Sequence, residues 1–207
     1  MRYSDKSGIT KQRRQLNGLP KFLAMTDPQR APDAAALIVK AKPGSGVIIR
    51  HYGKRPDHKE LKSLKRKVRT ANITLLSSAD RQALLQHPSD HLHLPERLLR
   101  TPLTDGLYFT GRRSSRNQHV TAAAHSRKAI YAAFRAGVDA VLISPVFPTL
   151  SHPGGKTLGI TRFAALAFYA NSLGLGVYAL GGITNNVKIR RLNHTHIDGV
   201  AGIGLFT

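Results

Sequence analysis

The chain has 207 residues, no cysteine and a formal net charge of +21, with 32 Lys and Arg against 11 Asp and Glu. Its length suits one domain over residues 1–207 with a basic N-terminal arm over residues 1–18, and the 41% apolar content is enough for a substantial core and argues against a disordered chain. The absence of cysteine excludes disulfides and thiolate metal sites, and the absence of a long apolar run or a secretory signal predicts a soluble cytoplasmic protein.

Short apolar runs alternate with helical patterns from one end of the chain to the other. The predicted strands are Lys21–Met25, Gly46–Ile49, Ile73–Leu76, His91–Leu94, Val120–Ala123, Ala140–Ser144, Val177–Leu180 and Val200–Leu205. The predicted helices are Asp33–Lys40, Asp57–Thr70, Ser78–Gln86, Pro95–Arg100, Ser126–Ala136, Thr161–Ser172 and Asn185–Leu192, with Thr161 as an N-cap. This alternation indicates βαβ units, and eight strands favour a closed (β/α)8 TIM barrel over an open doubly wound sheet.

The predicted barrel lacks its last helix, because the chain ends at Thr207 directly after the eighth strand. The eighth helix is therefore missing or replaced. An uncovered strand exposes an apolar face unless the N-terminal arm or a second subunit packs there, so the pattern raises the expectation of a homodimer.

The segment Lys54–Arg69 holds nine basic residues, including His58, around an apolar spacing formed by Leu61, Leu64 and Val68. That spacing predicts a helix with one buried face. A solvated outer face is favoured over an RNA-binding stripe, because only Tyr52 supplies an aromatic ring nearby for stacking on bases. Nonspecific nucleic-acid binding by the basic surface stays an alternative, and no membrane partner is expected.

Functional groups of a parallel barrel lie at the carboxyl ends of its strands. Three hydroxyl groups follow the sixth predicted strand, and a Gly-Gly pair follows the seventh. Hydroxyl groups and backbone N–H groups next to glycines suit a phosphate, and the loops after strands seven and eight commonly form the phosphate site of such barrels. The sequence therefore predicts a phosphate site formed by Ser144, Thr149, Ser151, Gly181, Gly182 and Gly202.

The second half of the chain carries a more specific pattern, at Gly137–Thr149 (GVDAVLISPVFPT), Leu158–Gly159, Ala179–Ile183 (ALGGI) and Asp198–Ala201. The pattern extends back to Thr121–Ser126, and fainter matches lie at Leu23–Asp27, Ile48–Arg50 and Ser89–Leu94. Together these segments resemble the thiamine phosphate synthase/TenI (thiazole tautomerase) family. The resemblance implies a TIM barrel of thiamine biosynthesis that binds a phosphorylated thiazole. One branch joins hydroxymethylpyrimidine diphosphate to the thiazole phosphate with Mg²⁺, and the other moves a proton on a thiazole carboxylate phosphate.

The resemblance also assigns roles to residues of this chain. It places the phosphate of the substrate at Thr149, Ser151, His152, Gly181 and Gly182, where His152 replaces a lysine of the family. His125 stands at the acid/base histidine of the tautomerase branch, and Arg50 is retained from a basic pattern on strand two, so both are expected to be catalytic. A structural role for His125 at a strand end stays open.

The positions that serve the diphosphate in synthases differ here. Ser78–Ala79 stands where the family has Asn-Asp, and a second Asp of the family falls near Leu98 or at Glu96. Ionisation of a diphosphate needs a hard cation held by carboxylates, so tautomerase-like or degenerate activity is favoured. Mg²⁺ is expected only if synthase activity is retained. The alternatives are an active synthase and a catalytically silent basic barrel that binds nucleic acid.

His91 and His93 alternate around Leu92 and therefore share one face of the fourth predicted strand. Two such histidines could ligate a metal, but no third ligand is identifiable in the sequence. A polar layer inside the barrel is the favoured interpretation, and no metal site is predicted.

Overall fold

The computed structural model describes residues 18–50, 58–78, 91–100, 118–150 and 154–203. Eight parallel strands pair in chain order, and β1 also pairs with β8, so the sheet closes into a barrel. The strands are β1 Phe22–Met25, β2 Gly46–Ile49, β3 Thr74–Ser78, β4 His91–Leu94, β5 Val120–Ala124, β6 Ala140–Ile143, β7 Gly176–Leu180 and β8 Gly199–Gly202. The predicted TIM barrel is thereby confirmed.

Three of the helices that surround the barrel begin at side-chain caps. The helices are α1 Ala34–Lys40, α2 His58–Thr70, a 3-10 helix at Glu96–Arg100, α3 Arg127–Arg135, α4 Gly159–Ser172 and α5 Asn186–Arg190. Asp33, Ser126 and Asn185 cap α1, α3 and α5 by accepting hydrogen bonds from backbone N–H groups of the first turn. No helix in the described ranges is long and apolar enough to cross a membrane.

Helix α4 begins earlier than its sequence pattern predicts. The predicted N-cap Thr161 is wrong, because the helix starts at Gly159 and its N-cap, Leu158, makes no side-chain capping bond. The backbone N–H groups of Leu158 and Gly159 instead donate to the carbonyl oxygens of Pro145 and Val146. Contacts with the loop after β6 therefore set the start of this helix.

Other boundaries also differ from the predictions. β3 continues through Ser78, because Ser77 and Ser78 pair with β4, so the predicted helix Ser78–Gln86 does not begin there and its remainder lies outside the described residues. The helix predicted at Pro95–Arg100 is a 3-10 helix that begins after the proline. β8 ends at Gly202 rather than Leu205.

Side-chain alternation divides the barrel into an interior and an outer layer. Leu23, Ile48, Leu76, Leu142 and Tyr178 are buried together inside the barrel. Alternate residues of the same strands pack outward against the helices in two apolar clusters. The residue two positions beyond an inward side chain also faces inward. This rule decides which polar groups reach the barrel mouth, by which we mean the end of the barrel formed by the carboxyl ends of the strands.

The outer face of β8 is covered, although no helix follows this strand in the described part of the chain. Val200 is 2% exposed and belongs to the same apolar cluster as Leu192. Ile189 and Ile197, from α5 and the loop that follows it, pack against that cluster. Residues of α5 and of the loop after it thus cover the outer face of β8, which no predicted helix follows.

Candidate active site at the barrel mouth

The carboxyl ends of the strands bring several predicted site residues to one end of the barrel. Arg50 and Ser144 lie two positions beyond the inward-facing Ile48 and Leu142 of β2 and β6, and His125 follows β5. Gly181 and Gly182 follow β7, and Gly202 ends β8 beside Ala24 of β1. Ser151 and His152 lie outside the described residues.

His125 is held by the residue that ends β6. Its Nδ1 lies 2.8 Å from the carbonyl oxygen of Ser144 and 3.2 Å from the hydroxyl oxygen of the same residue. A carbonyl oxygen only accepts, so Nδ1 carries the proton and the neutral ring keeps its lone pair on Nε2. The side chain of His125 is 52% exposed, which leaves the imidazole accessible from the mouth.

Glu96 places a carboxylate beside this histidine. Its Oε2 accepts a hydrogen bond from the backbone N–H of His125 at 3.0 Å and lies 3.8 Å from Nε2 of the ring. Leu98, the other position at which the sequence placed a family carboxylate, is buried in the outer apolar cluster. Among the described residues after β4, Glu96 therefore places a carboxylate beside Nε2 of His125.

Arg50 is fixed on the opposite side of the mouth, three strands away from His125. Its Nε donates to the carbonyl oxygen of Thr26 at 2.8 Å, and one terminal nitrogen lies 3.3 Å from Oδ2 of Asp27. The other oxygen of Asp27 accepts the N–H groups of Gln29 and Arg30. The guanidinium therefore has a set orientation, and Asp27 serves to hold it.

His93 lies inside the barrel below the mouth. Its Nδ1 is 3.0 Å from the hydroxyl oxygen of Thr121. Burial, and secondarily the positive charge of Arg50, lower the pKa of His93 to about 4, so this ring is neutral at neutral pH.

His91 lies deeper in the barrel, on the same face of β4 as His93. Its Nδ1 accepts a hydrogen bond from the backbone N–H of His119, and the two rings stack at 5.4 Å. Within the described ranges no group of three His, Cys, Asp or Glu is placed to hold a metal ion. Both histidines instead engage in polar contacts inside the barrel.

The Gly-Gly turn after β7 packs directly on the loop after β6. Gly181 and Gly182 have φ values of +99° and +69°, a region that favours glycine. A Cβ on Gly182 would lie 2.3 Å from the carbonyl oxygen of Pro148, and one on Gly181 would lie 3.4 Å from the methyl group of Thr149. The two loops predicted to share a phosphate are therefore neighbours, and only glycine allows this approach.

Lys188 is a residue of this region that the sequence analysis missed. Its Nζ donates to the carbonyl oxygen of Gly182 at 2.6 Å and lies 5.7 Å from the centre of the Phe147 ring. The side-chain oxygen of Asn185 accepts the backbone N–H of Lys188 and so fixes the start of α5. In a chain with 32 Lys and Arg, no local signal separates this lysine from the others.

A comparison with known families decides to which group this barrel belongs. The family model described as "Thiamine monophosphate synthase" (TMP-TENI) matches residues 26–206. The chain belongs to the thiamine monophosphate synthase family. This member of the family is 28% identical over 194 residues to the Aquifex aeolicus protein named "Putative thiamine-phosphate synthase 2", a match that covers 91% of this chain and 98% of the relative.

Solved structures share the fold of this thiamine monophosphate synthase family member. The thiamine phosphate pyrophosphorylase from Pyrococcus furiosus superposes with a TM-score of 0.65 at 20% identity, over 89% of this chain and 85% of that one. Deoxyribose phosphate aldolase from Aeropyrum pernix gives a TM-score of 0.62 at 15% identity, over 89% of this chain and 86% of that one. At such identities the similarity is one of fold, so activity has to be argued from the mouth of the barrel.

Proposed function

We propose that this protein binds a thiazole carboxylate phosphate at the barrel mouth and transfers a proton on its ring through His125, as the tautomerase branch of the family does. The observation that carries the proposal is the orientation of His125. The bond from Nδ1 to the Ser144 carbonyl oxygen leaves the lone pair on Nε2, which is the atom of a base that takes a proton.

The proton transfer uses two groups of this chain. Nε2 of His125 takes a proton from the ring carbon beside the carboxyl group, and the protonated imidazole returns a proton to a second atom of the ligand. The ligand is isomerised with no net gain or loss of atoms. Glu96, 3.8 Å from Nε2, stabilises the imidazolium that forms between the two steps.

The phosphate of the ligand is assigned to the paired loops after β6 and β7. The hydroxyl group of Thr149 and the backbone N–H groups at Gly181 and Gly182 supply donors, and Gly202 lies at the neighbouring end of β8. Lys188 adds a positive charge beside this turn. Ser144 is buried with its hydroxyl against His125, so we assign it to positioning His125 rather than to the phosphate.

Turnover and binding are tested separately. Wild-type protein is titrated with thiazole carboxylate phosphate, and isomerisation is followed by NMR. We expect His125→Asn to bind the ligand as the wild type does but to lose turnover, while His194→Asn, a change at an exposed loop histidine, keeps both. Turnover by His125→Asn at the wild-type rate would refute the assignment of His125, and a wild type without binding at millimolar ligand would refute the proposed substrate.

An active synthase is the second candidate, favoured by the carboxylate of Glu96 at the mouth. The described donors do not fit a Mg²⁺-diphosphate site, because Asp27 is engaged by Arg50 and by backbone N–H groups on the side of the barrel opposite Glu96. Ser78 ends β3 where the family has the Asn of its Asn-Asp pair, and the residue at the position of the Asp carboxylate is Ala79, which lies outside the described residues. Incubation with hydroxymethylpyrimidine diphosphate, thiazole phosphate and Mg²⁺ decides between the candidates, since formation of thiamine phosphate would establish the synthase.

A further inference from the structure

The outer face of α2 concentrates positive charge on the outside of the barrel. Its thirteen residues contain a single acid, Glu60. Four exposed cations recur at intervals of three or four residues and form what we call the α2 stripe, which consists of Lys59, Lys62, Arg66 and Arg69. Residues at this spacing lie along one side of a helix.

The α2 stripe borders an open groove of about 820 Å³. Its described lining adds Ser63, Lys65 and Thr70 to the stripe, so each charged residue of that lining is a cation. Cationic nitrogens and hydroxyl groups all donate to phosphate oxygens. The groove therefore has the chemistry of a surface for a polyanion.

The charge pattern of α2 destabilises the helix. Lys62–Arg66 and Lys65–Arg69 are like-charge pairs at a spacing of four residues, and each destabilises a helix by a few tenths of a kcal/mol. Acids at the same spacing would stabilise a solvated helix by about as much. The sequence alone favours a solvated face, but the uniformly positive charge of the stripe is better explained by a negatively charged ligand.

We propose that the α2 stripe binds the phosphate backbone of a nucleic acid without regard to base sequence. The opposite face of α2 is buried through Leu64 and Val68, so these described apolar side chains are not available for insertion into a membrane. The described lining of the groove holds no aromatic ring to stack on bases, which leaves the backbone as the element recognised. From Lys59 to Arg69 the stripe is about 15 Å long, the length of about four phosphates along one strand of a duplex.

The experiment compares two triple variants of the full chain that lose the same charge. Lys62→Gln/Arg66→Gln/Arg69→Gln removes most of the stripe, and Lys128→Gln/Arg135→Gln/Arg162→Gln removes three exposed cations from α3 and α4. Binding of fluorescent single-stranded oligouridylate is measured by anisotropy between about 50 and 200 mM salt. We expect the stripe variant to bind at least about tenfold more weakly than the wild type. Its salt slope, the slope of log affinity against log salt concentration, should become shallower by about two, because each lost cation contributes about 0.7. The control variant should change by less than about twofold.

Thermal unfolding and competitors complete the test. The stripe variant should unfold at the wild-type temperature or above it, because like-charge repulsion is relieved. The single variant Arg66→Gln should show about a third of the loss in salt slope. Inorganic phosphate at millimolar concentration should leave binding of oligouridylate by the wild type unchanged.

Three outcomes would overturn the proposal. Equal losses in the two triple variants would show that the net charge of +21, and not α2, attracts RNA. Unchanged binding by the stripe variant would show that α2 does not contribute to binding of oligouridylate. Stripe-dependent binding to phosphatidylserine vesicles, with no binding of oligouridylate, would assign the face to a lipid surface instead.

Discussion

Nζ of Lys188 donates to the carbonyl oxygen of Gly182 at 2.6 Å, so a helix side chain fixes the turn that follows β7. The same ammonium group approaches the face of Phe147 in the neighbouring loop. The ammonium group of Lys188 thus contacts both of the loops that we assign to the phosphate. A hydrogen bond that involves a charged group contributes about 1.5–3 kcal/mol, and the loss of this bond should be visible in ligand affinity.

Lys188→Met is therefore expected to raise KM for the phosphorylated ligand about tenfold, which corresponds to about 1.4 kcal/mol, with little change in kcat. Steady-state kinetics measure both constants. Lys188→Arg should recover part of the affinity, and Arg190→Met, an exposed residue of the same helix, should behave as wild type. A lower kcat with an unchanged KM would contradict a role in holding the phosphate loops.

Gly182→Ala is expected to lose both stability and phosphate affinity. Gly44 provides a matched control, because its φ of +79° is similar to that of Gly182 but a Cβ there would meet no atom within 4 Å. Gly44→Ala should cost about 1 kcal/mol of unfolding free energy for the backbone conformation alone. Gly182→Ala should cost about 1–3 kcal/mol more, because its Cβ displaces Pro148. Urea unfolding measures both values, and equal costs would show that the loops move apart easily.

Glu96→Gln is expected to lower turnover about tenfold and to leave ligand affinity unchanged. The amide oxygen of glutamine still accepts the backbone N–H of His125, but it carries no charge to stabilise the imidazolium 3.8 Å away. An ion pair at this distance in a partly exposed site is worth about 1–4 kcal/mol. Single-turnover kinetics with the thiazole carboxylate phosphate test the change, and a wild-type rate would show that Glu96 only anchors the backbone.

The sequence predicted the barrel because each strand and helix leaves a local pattern. The apolar run at β6 and the apolar face of α3 are visible within ten residues. The ends of the strands were located to within two residues, except that the end of β8 was placed three residues too late. The end of β3 was missed, since Ser77 and Ser78 have no strand signal of their own and extend the strand only by pairing with β4. The start of α4 was missed for a similar reason, because the loop after β6 sets it.

The candidate site was predicted where a residue type is informative by itself. The Gly-Gly pair and His125 stand out from their neighbours in the sequence. The partner of Arg50 is Asp27, 23 positions away, and the carboxylate beside His125 is Glu96, 29 positions away. Such pairings depend on which strand ends meet in the closed barrel, so they became visible only in the structure.

His93 should make the protein less stable in acid, through the linkage between protonation and folding. The pKa of His93 is about 4 in the native state and about 6.5 in an unfolded chain, so between these pH values the unfolded state binds more protons. Stability from this group is complete above about pH 6.5 and is lost as the pH falls towards 4, by about 3 kcal/mol in all. His93→Gln should remove that part of the pH dependence, whereas His194→Gln, at an exposed position, should retain it. Urea unfolding of the three proteins at pH 7, 5 and 4 measures the difference. If wild type and His93→Gln lost stability in parallel, the ring would have to be protonated in the native barrel, and its contact with Thr121 could not be that of a neutral imidazole.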